Sequence, residues 1–302
     1  MTGQIEVATD DIALRSLTWG DWDATDSPVA VCLHGFPDTA HGWRKVAPQL
    51  AEAGWRVVAP FMRGYAPSSL SAQGSYHVGA LMDDALRVLD AAGPTGRDVI
   101  IGHDWGAMAG AGLAAMPDNP FDKAVIMSVP PLTSFRPLGR VSDAGRLAGL
   151  LPRQLVRSWY IMFFQLPWLP ERSAGRVVPK LWRDWSPGYD GGEDVRLVLD
   201  AIGAPERWSA ALGYYRALVH NSRPPAKYAE LQQHWLSAPA VPTLYLHGTD
   251  DGCIATEYTD WVRRVLPAGS AAHVVTGGGH FLQLDQADAT AAHILDFIGS
   301  AG

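Results

Sequence analysis

Apolar runs of six to eight residues recur through the first 130 positions of the chain, each with a Gly or Pro close by. They read IALRSLTW, VAVCLHG, RVVAPFM, DVIIGH and KAVIMSVP. A run that is apolar on both alternations suits a strand covered on both faces, because neither face meets water. Between these runs the apolar positions fall at helical spacing, in WRKVAPQLAEAG, in HVGALMDDALRVLDAAG and in the small-residue segment after position 104. Strands and helices in alternation predict an α/β domain with a mainly parallel sheet flanked by helices.

The rhythm breaks after Pro130. From Pro131 to Lys227 helical pieces are interrupted by Pro and Gly, aromatic residues are frequent, and no strand pattern occurs. Alternation resumes with TLYLHG, a helix around TEYTDWVRRVL, the strand AAHVVTG and a final helix. A structureless loop of that size is out of place in a compact domain. Residues 131–227 are therefore expected to form a helical cap inserted between two parts of one core, 1–130 and 228–302. At the C-terminal edge of the strands such a cap would lie where open sheets bind ligands.

Composition acts mainly by exclusion. A chain of 302 residues can bury one large core. The formal charge of −7, with no Lys/Arg cluster, argues against a nucleic-acid partner. Cys32 and Cys253 have no metal or redox spacing, and none of the ten histidines has a ligand partner at metal spacing, so no metal or organic cofactor is expected. MTGQIEVATDDIAL lacks the basic start and long apolar run of a signal peptide. WYIMFFQLPWLP is too short for a membrane span and carries Gln165 and two prolines. A cytoplasmic protein without membrane partner is the expectation. Twelve tryptophans fit an aromatic-lined cavity, and each taken singly fits core filling equally well.

One segment carries chemistry in its spacing. VIIGHDWGAMAGAG places Asp104 between Gly102 and Gly106, after a strand and before a helix of small residues. A tight strand-to-helix turn holds the residue at its tip in strained backbone and needs small neighbours two positions to either side. Asp104 also suits a plain helix cap. Two further pieces favour a nucleophile. VVTGGGHFLQLDQ puts His280 just after a strand, and LYLHGTDDG puts Asp250 and Asp251 after another. The order nucleophile, acid, histidine is the one used by triads on this type of sheet. Asp251 is the expected acid from its distance to Gly248, with Asp250 as the fallback. In LHGFPDTAHGW the backbone N–H of Phe36, together with that of Trp105, is placed to form an oxyanion hole.

These residues resemble the α/β-hydrolase fold, and in detail its soluble epoxide hydrolases. HGFP at His34–Pro37, GHDWG at Gly102–Gly106, GHF at Gly279–Phe281 and RGYAPS at Arg63–Ser68 carry the likeness, which covers nearly the whole chain. The resemblance implies an epoxide hydrolase that forms an ester on Asp104 and hydrolyses it with His280 and Asp251. It also implies two cap tyrosines on the epoxide oxygen. WYIMFFQLP matches the first with Tyr160, and GYYRALV the second with Tyr215, with Tyr214 as the less favoured neighbour. The expected partner is a small apolar or aromatic epoxide bound by Phe36, Trp105, Trp159, Phe163 and Phe164. A dehalogenase with the same aspartate is the alternative. It is disfavoured by Phe36 where haloalkane dehalogenases commonly carry Asn, and by Trp105 where fluoroacetate dehalogenases usually carry Arg. A binding protein on the same scaffold would be expected to have lost a triad member, and an esterase would carry serine at the turn.

Overall fold

The structure, a computed structural model, describes residues 3–135, 141–220 and 222–301. An eight-stranded sheet is built from β1 (Gly3–Ala8), β2 (Ala13–Trp19), β3 (Val29–Leu33), β4 (Arg56–Pro60), β5 (Val99–His103), β6 (Lys123–Met127), β7 (Thr243–Gly248) and β8 (Ala271–Val275). Its order is β1-β2-β4-β3-β5-β6-β7-β8. The β1–β2 and β2–β4 pairs are antiparallel and all others parallel, with Ala30 opposite Val99 and Val125 opposite Leu244. Every residue of β3, β4, β5 and β7 is buried, which accounts for their continuous apolar character.

The sequence reading missed β1. This edge strand exposes most of its residues and has no continuous apolar run to betray it. Of the helix expected over WRKVAPQLAEAG, residues 43–54, only α1 (Ala47–Glu52) forms, and Trp43 instead closes a 3-10 turn that begins at Ala40. Pro48 stands in the first turn of α1, where its missing N–H costs nothing, so the helix restarts there. The other core helices are α2 (Val78–Ala92) and α3 (Trp105–Ala114). α2 ends on Gly93 in the left-handed conformation, φ 73°, a common helix stop.

Between β6 and β7 the described residues contain helices and 3-10 turns and no strand. The helices are α4 (Val141–Arg157), α5 (Trp159–Phe163), α6 (Ala174–Trp185), α7 (Gly192–Ile202), α8 (Pro205–Val219) and α9 (Ala226–Gln232). The division expected at Lys227 falls inside α9, which lies against α2, the Gln232 side chain accepting from the Gly79 N–H at 2.6 Å. After β7 come α10 (Thr259–Val265), α11 (Leu282–Asp285) and α12 (Ala287–Ile298). The single final helix expected from the sequence is thus divided. Gln286 leaves the helical region with ψ 48°, and its side chain returns to the Gly277 carbonyl.

The RGYAPS segment seats α8 on the core. The fully buried Arg63 guanidinium makes two 2.7 Å bonds to the Asp84 carboxylate of α2 and one of 3.2 Å to Asp11. The Tyr228 hydroxyl of α9 donates to that same Asp11 at 2.6 Å. Tyr214 of α8 donates to the Arg63 carbonyl at 2.8 Å, and Arg207 bonds the Gly64 and Ser68 carbonyls. With Tyr214 so held, its neighbour Tyr215 takes a different direction on the same helix.

No helix among the described residues is long and apolar enough to cross a membrane.

Candidate active site

Asp104 sits at the tip of the turn between β5 and α3, with φ 53° and ψ −114°. Positive φ in a residue with a side chain is strained and persists only when the surroundings enforce it. The enforcement is steric. A Cβ on Gly102 would collide with the Gly106 carbonyl, and one on Gly106 with the Leu33 carbonyl, so α3 presses onto the sheet only because both are glycine. Although Asp104 occupies the cap position of α3, its side chain makes no capping bond. Instead Oδ1 accepts from the Phe36 N–H at 2.7 Å. Phe36 follows β3 and Asp104 follows the adjacent β5, which brings together residues 68 apart in sequence. Trp105, the first residue of α3, carries an N–H without an intrahelical acceptor.

His280 faces the other carboxylate oxygen, its Nε2 standing 3.6 Å from Asp104 Oδ2. That is beyond hydrogen-bond reach, and Nε2 has no hydrogen-bond partner, so the contact is electrostatic. Nδ1 is 3.0 Å from Asp251 Oδ2. Burial opposes the charge on His280, but Asp251 and Asp104 together override it and lift the imidazolium to about 10. Burial, the largest single influence, likewise pushes Asp251 up, and His280, His247 and the Ile254 N–H together outweigh it, holding the carboxyl below the usual range. Asp251 Oδ1 accepts from the N–H groups of Cys253, at 2.7 Å, and Ile254, at 2.9 Å. Asp250 is exposed, and its backbone N–H bonds Gly278.

Two phenols close over this pair. Tyr215 meets Phe36 and Trp105 edge to face, with ring centroids 5.1 Å away in each case, and Tyr160 at 5.5 Å. The Tyr215 hydroxyl is buried, with no hydrogen bond of normal length among the described residues and the Trp105 side chain as its polar neighbour. The Tyr160 hydroxyl lies 3.6 Å from the Cys253 sulfur. Burial, reinforced by Cys253, Tyr215 and Asp104 for Tyr160 and by Asp104 for Tyr215, raises both phenols well above their ordinary range. Both therefore stay protonated. Tyr214 packs its ring edge-on to Trp105 at 5.4 Å, but its hydroxyl is committed to the Arg63 carbonyl.

Of the aromatic residues expected to line the pocket, Phe36, Trp105 and Phe164 gather around the tyrosines, Phe164 at 5.2 Å from Tyr215 and 5.5 Å from Phe36. Trp159 and Phe163 are less buried than these three, Trp159 meeting Tyr160 edge-on at 6.4 Å and Phe163 meeting Phe164 at 5.9 Å. They lie one turn apart on a different face of α5 from the buried Tyr160, half-buried against each other at 5.7 Å, with the Lys180 ammonium over the Trp159 ring. Sequence reading also missed residues that touch the site. Trp185 packs its ring edge-on to His280 at 4.9 Å and to Tyr160 at 5.1 Å. Cys253 meets Tyr160 as above. His103 Nε2, at 2.8 Å, and Ser128 Oγ, at 2.7 Å, both bond the His280 carbonyl. Burial and the neighbouring His280 charge depress His103 to about 3, so it is neutral. Position alone, next to Asp104, was a signal for His103. Nothing local marks the others.

A family profile described as alpha/beta hydrolase fold matches residues 28–287. The chain belongs to the α/β-hydrolase-fold family. Its relatives there narrow the branch. Epoxide hydrolase B of Mycobacterium tuberculosis is 36% identical, over 90% of this chain and 91% of its own length. An epoxide hydrolase of Caballeronia sordidicola is 35% identical, over 82% and 78% respectively. The crystal structure of an epoxide hydrolase from Vigna radiata superposes with a TM-score of 0.75 at 26% identity, covering 98% of both chains. Within the family this chain belongs with the epoxide hydrolases.

Proposed function

We propose that the protein hydrolyses small apolar or aromatic epoxides to vicinal diols through a hydroxyalkyl ester on Asp104, beneath a helical cap formed by residues 131–227. One observation carries the reading: a strained aspartate with Oδ1 held by the Phe36 N–H lies under two buried phenols, Tyr160 and Tyr215, whose rings meet edge to face. Asp104 Oδ2 attacks a ring carbon in line and the carbon–oxygen bond breaks. The epoxide oxygen takes a proton from Tyr160 or Tyr215, positioned as general acids that remain neutral until used. The tyrosinate recovers its proton from the His280 imidazolium. That leaves a neutral imidazole beside a neutral ester.

In the second half, His280 Nε2 takes a proton from water as its oxygen attacks the ester carbonyl, with Asp251 orienting the ring. The oxygen that turns negative is the one facing the Phe36 N–H, joined by that of Trp105. Collapse releases the diol, whose new alkoxide takes the carboxyl proton, and returns Asp104 as carboxylate opposite imidazolium. Phe36, Trp105 and Phe164 supply the apolar walls. Loss of halide from an alkyl halide would need the carboxylate but no proton donor, so the buried phenols favour the epoxide over the dehalogenase alternative.

The test is a single turnover of excess enzyme with styrene oxide in heavy-oxygen water. The first diol should be unlabelled, because its new oxygen comes from Asp104 while the label enters the carboxyl group. Label in that first diol would refute the ester.

A further inference from the structure

The last two residues around the end of α6, Trp185 and Ser186, are wedged between the loops that carry the base and the acid. The Trp185 carbonyl accepts from the His280 N–H at 2.9 Å and from the Gly252 N–H at 3.1 Å. One oxygen thereby joins the loop after β8 to the loop after β7 from the side of the helical segment, in addition to the direct bond from the Asp250 N–H to the Gly278 carbonyl. Ser186 Oγ accepts from the Phe281 N–H at 3.1 Å and donates to Asp285 Oδ2 at 3.0 Å. Asp285 Oδ2 in turn accepts from the Gly279 N–H at 2.7 Å. The Trp182 ring stacks on Phe281, 3.7 Å between centroids and 8° from parallel.

The fit leaves no slack. A Cβ on Gly252 would collide with the Asp184 carbonyl, and one on Gly279 with Ser186. From the sheet side, His103 and Ser128 fix the His280 carbonyl. The backbone of His280 is thus bonded through its carbonyl by the core and through its N–H by the helical segment.

We infer that Ser186, with the Trp185 carbonyl, is a positioning element for the water-activating half of the reaction. The inference rests on the proposed chemistry. His280 can take a proton from water only while Nδ1 stays on Asp251 and Nε2 points at the ester. Both contacts depend on the relative placement of the two loops that this seam joins. Ring opening draws on Asp104, Phe36 and the phenols, and Ser186 bonds none of them. Trp185 touches Tyr160 through its ring, so Ser186 is the cleaner probe.

The experiment compares Ser186→Ala, Gly279→Ala and His280→Gln with the native chain in rapid-quench single turnovers of styrene oxide, read by intact-protein mass. Ser186→Ala removes the hydroxyl that joins Phe281 to Asp285, and Gly279→Ala pushes on the same seam from the core side. In both, the ester should form within about twofold of the native rate while its decay slows by about tenfold to a hundredfold, the size expected for a small misplacement of a catalytic group. His280→Gln should form the ester and keep it. Equal slowing of both steps in Ser186→Ala and Gly279→Ala would mean a general structural role and overturn the inference, as would native decay in both. Absence of the ester in His280→Gln would strike the ester mechanism itself, and the seam's role with it.

Discussion

Replacing Asp104 with Asn imitates, in charge, the state after ring opening, and the consequence for His280 can be worked from the geometry. A unit charge 3.6 Å away, in surroundings of effective dielectric near 20, interacts by about 5 kcal/mol. At about 1.4 kcal/mol per pKa unit, removing it should lower His280 by roughly three units. The imidazolium stands at about 10 in the free enzyme, so Asp104→Asn should bring it close to neutrality. This is what the mechanism needs: a cation while the carboxylate is free, a base once the ester has formed. The assay is a pH titration of the imidazole nitrogen shifts in nitrogen-15-labelled protein, with His280→Gln identifying the signal. A shift of less than half a unit in Asp104→Asn would refute the coupling, and with it the account of how His280 changes role.

Three other outcomes are expected. The Tyr160→Phe and Tyr215→Phe single variants should each lose about a hundredfold in kcat, and the double variant should lose ring opening while keeping its melting temperature, as positioned general acids contribute about that much each; native turnover in the double variant would remove the phenols from the reaction. Stability should vary with pH in a set direction. A histidine whose folded pKa is raised stabilises the fold fully below about 6.5 and loses that contribution as pH climbs through about 10. The native melting temperature should therefore fall more steeply over that window than that of Asp104→Asn, and parallel curves would contradict the ion pair. Asp84→Ala should cost about 3–5 kcal/mol in urea unfolding, because it strips the bidentate partner from a fully buried guanidinium. A loss below about 1 kcal/mol would show that Asp11 and the carbonyls around Arg63 suffice.

What could be read from the sequence was whatever lies within a few residues of a strand end. Asp104 follows β5 directly, and Asp251 and His280 lie in the short loops after β7 and β8, so local patterning placed them, and the parallel sheet brought those strand ends to one edge. The tyrosines were found differently, through short segments that resemble a family. On α5, segment matching gave Tyr160 but could not separate the buried pair, Tyr160 and Phe164, from the half-buried pair, Trp159 and Phe163. The contacts between Ser186 and Phe281, or Cys253 and Tyr160, span more than 90 residues and depend on how helices from separate parts of the chain dock. No local pattern encodes such a meeting. β1 escaped for the opposite reason: a short edge strand with one side in water lacks the apolar run by which buried strands announce themselves.

β6 and β7 are neighbours in the sheet, Val125 opposite Leu244, so the long helical excursion leaves and re-enters the core at adjoining points. Exchanging that excursion for another would leave strand register untouched, which makes it an inviting module for hybrid enzymes with new substrate preferences. The Trp185 carbonyl sets the condition on such grafts. A transplanted lid must bring an acceptor to the same place, or the hybrid will be built on intact strands and yet leave the His280 and Gly252 N–H groups without the oxygen that ties both catalytic loops to the lid.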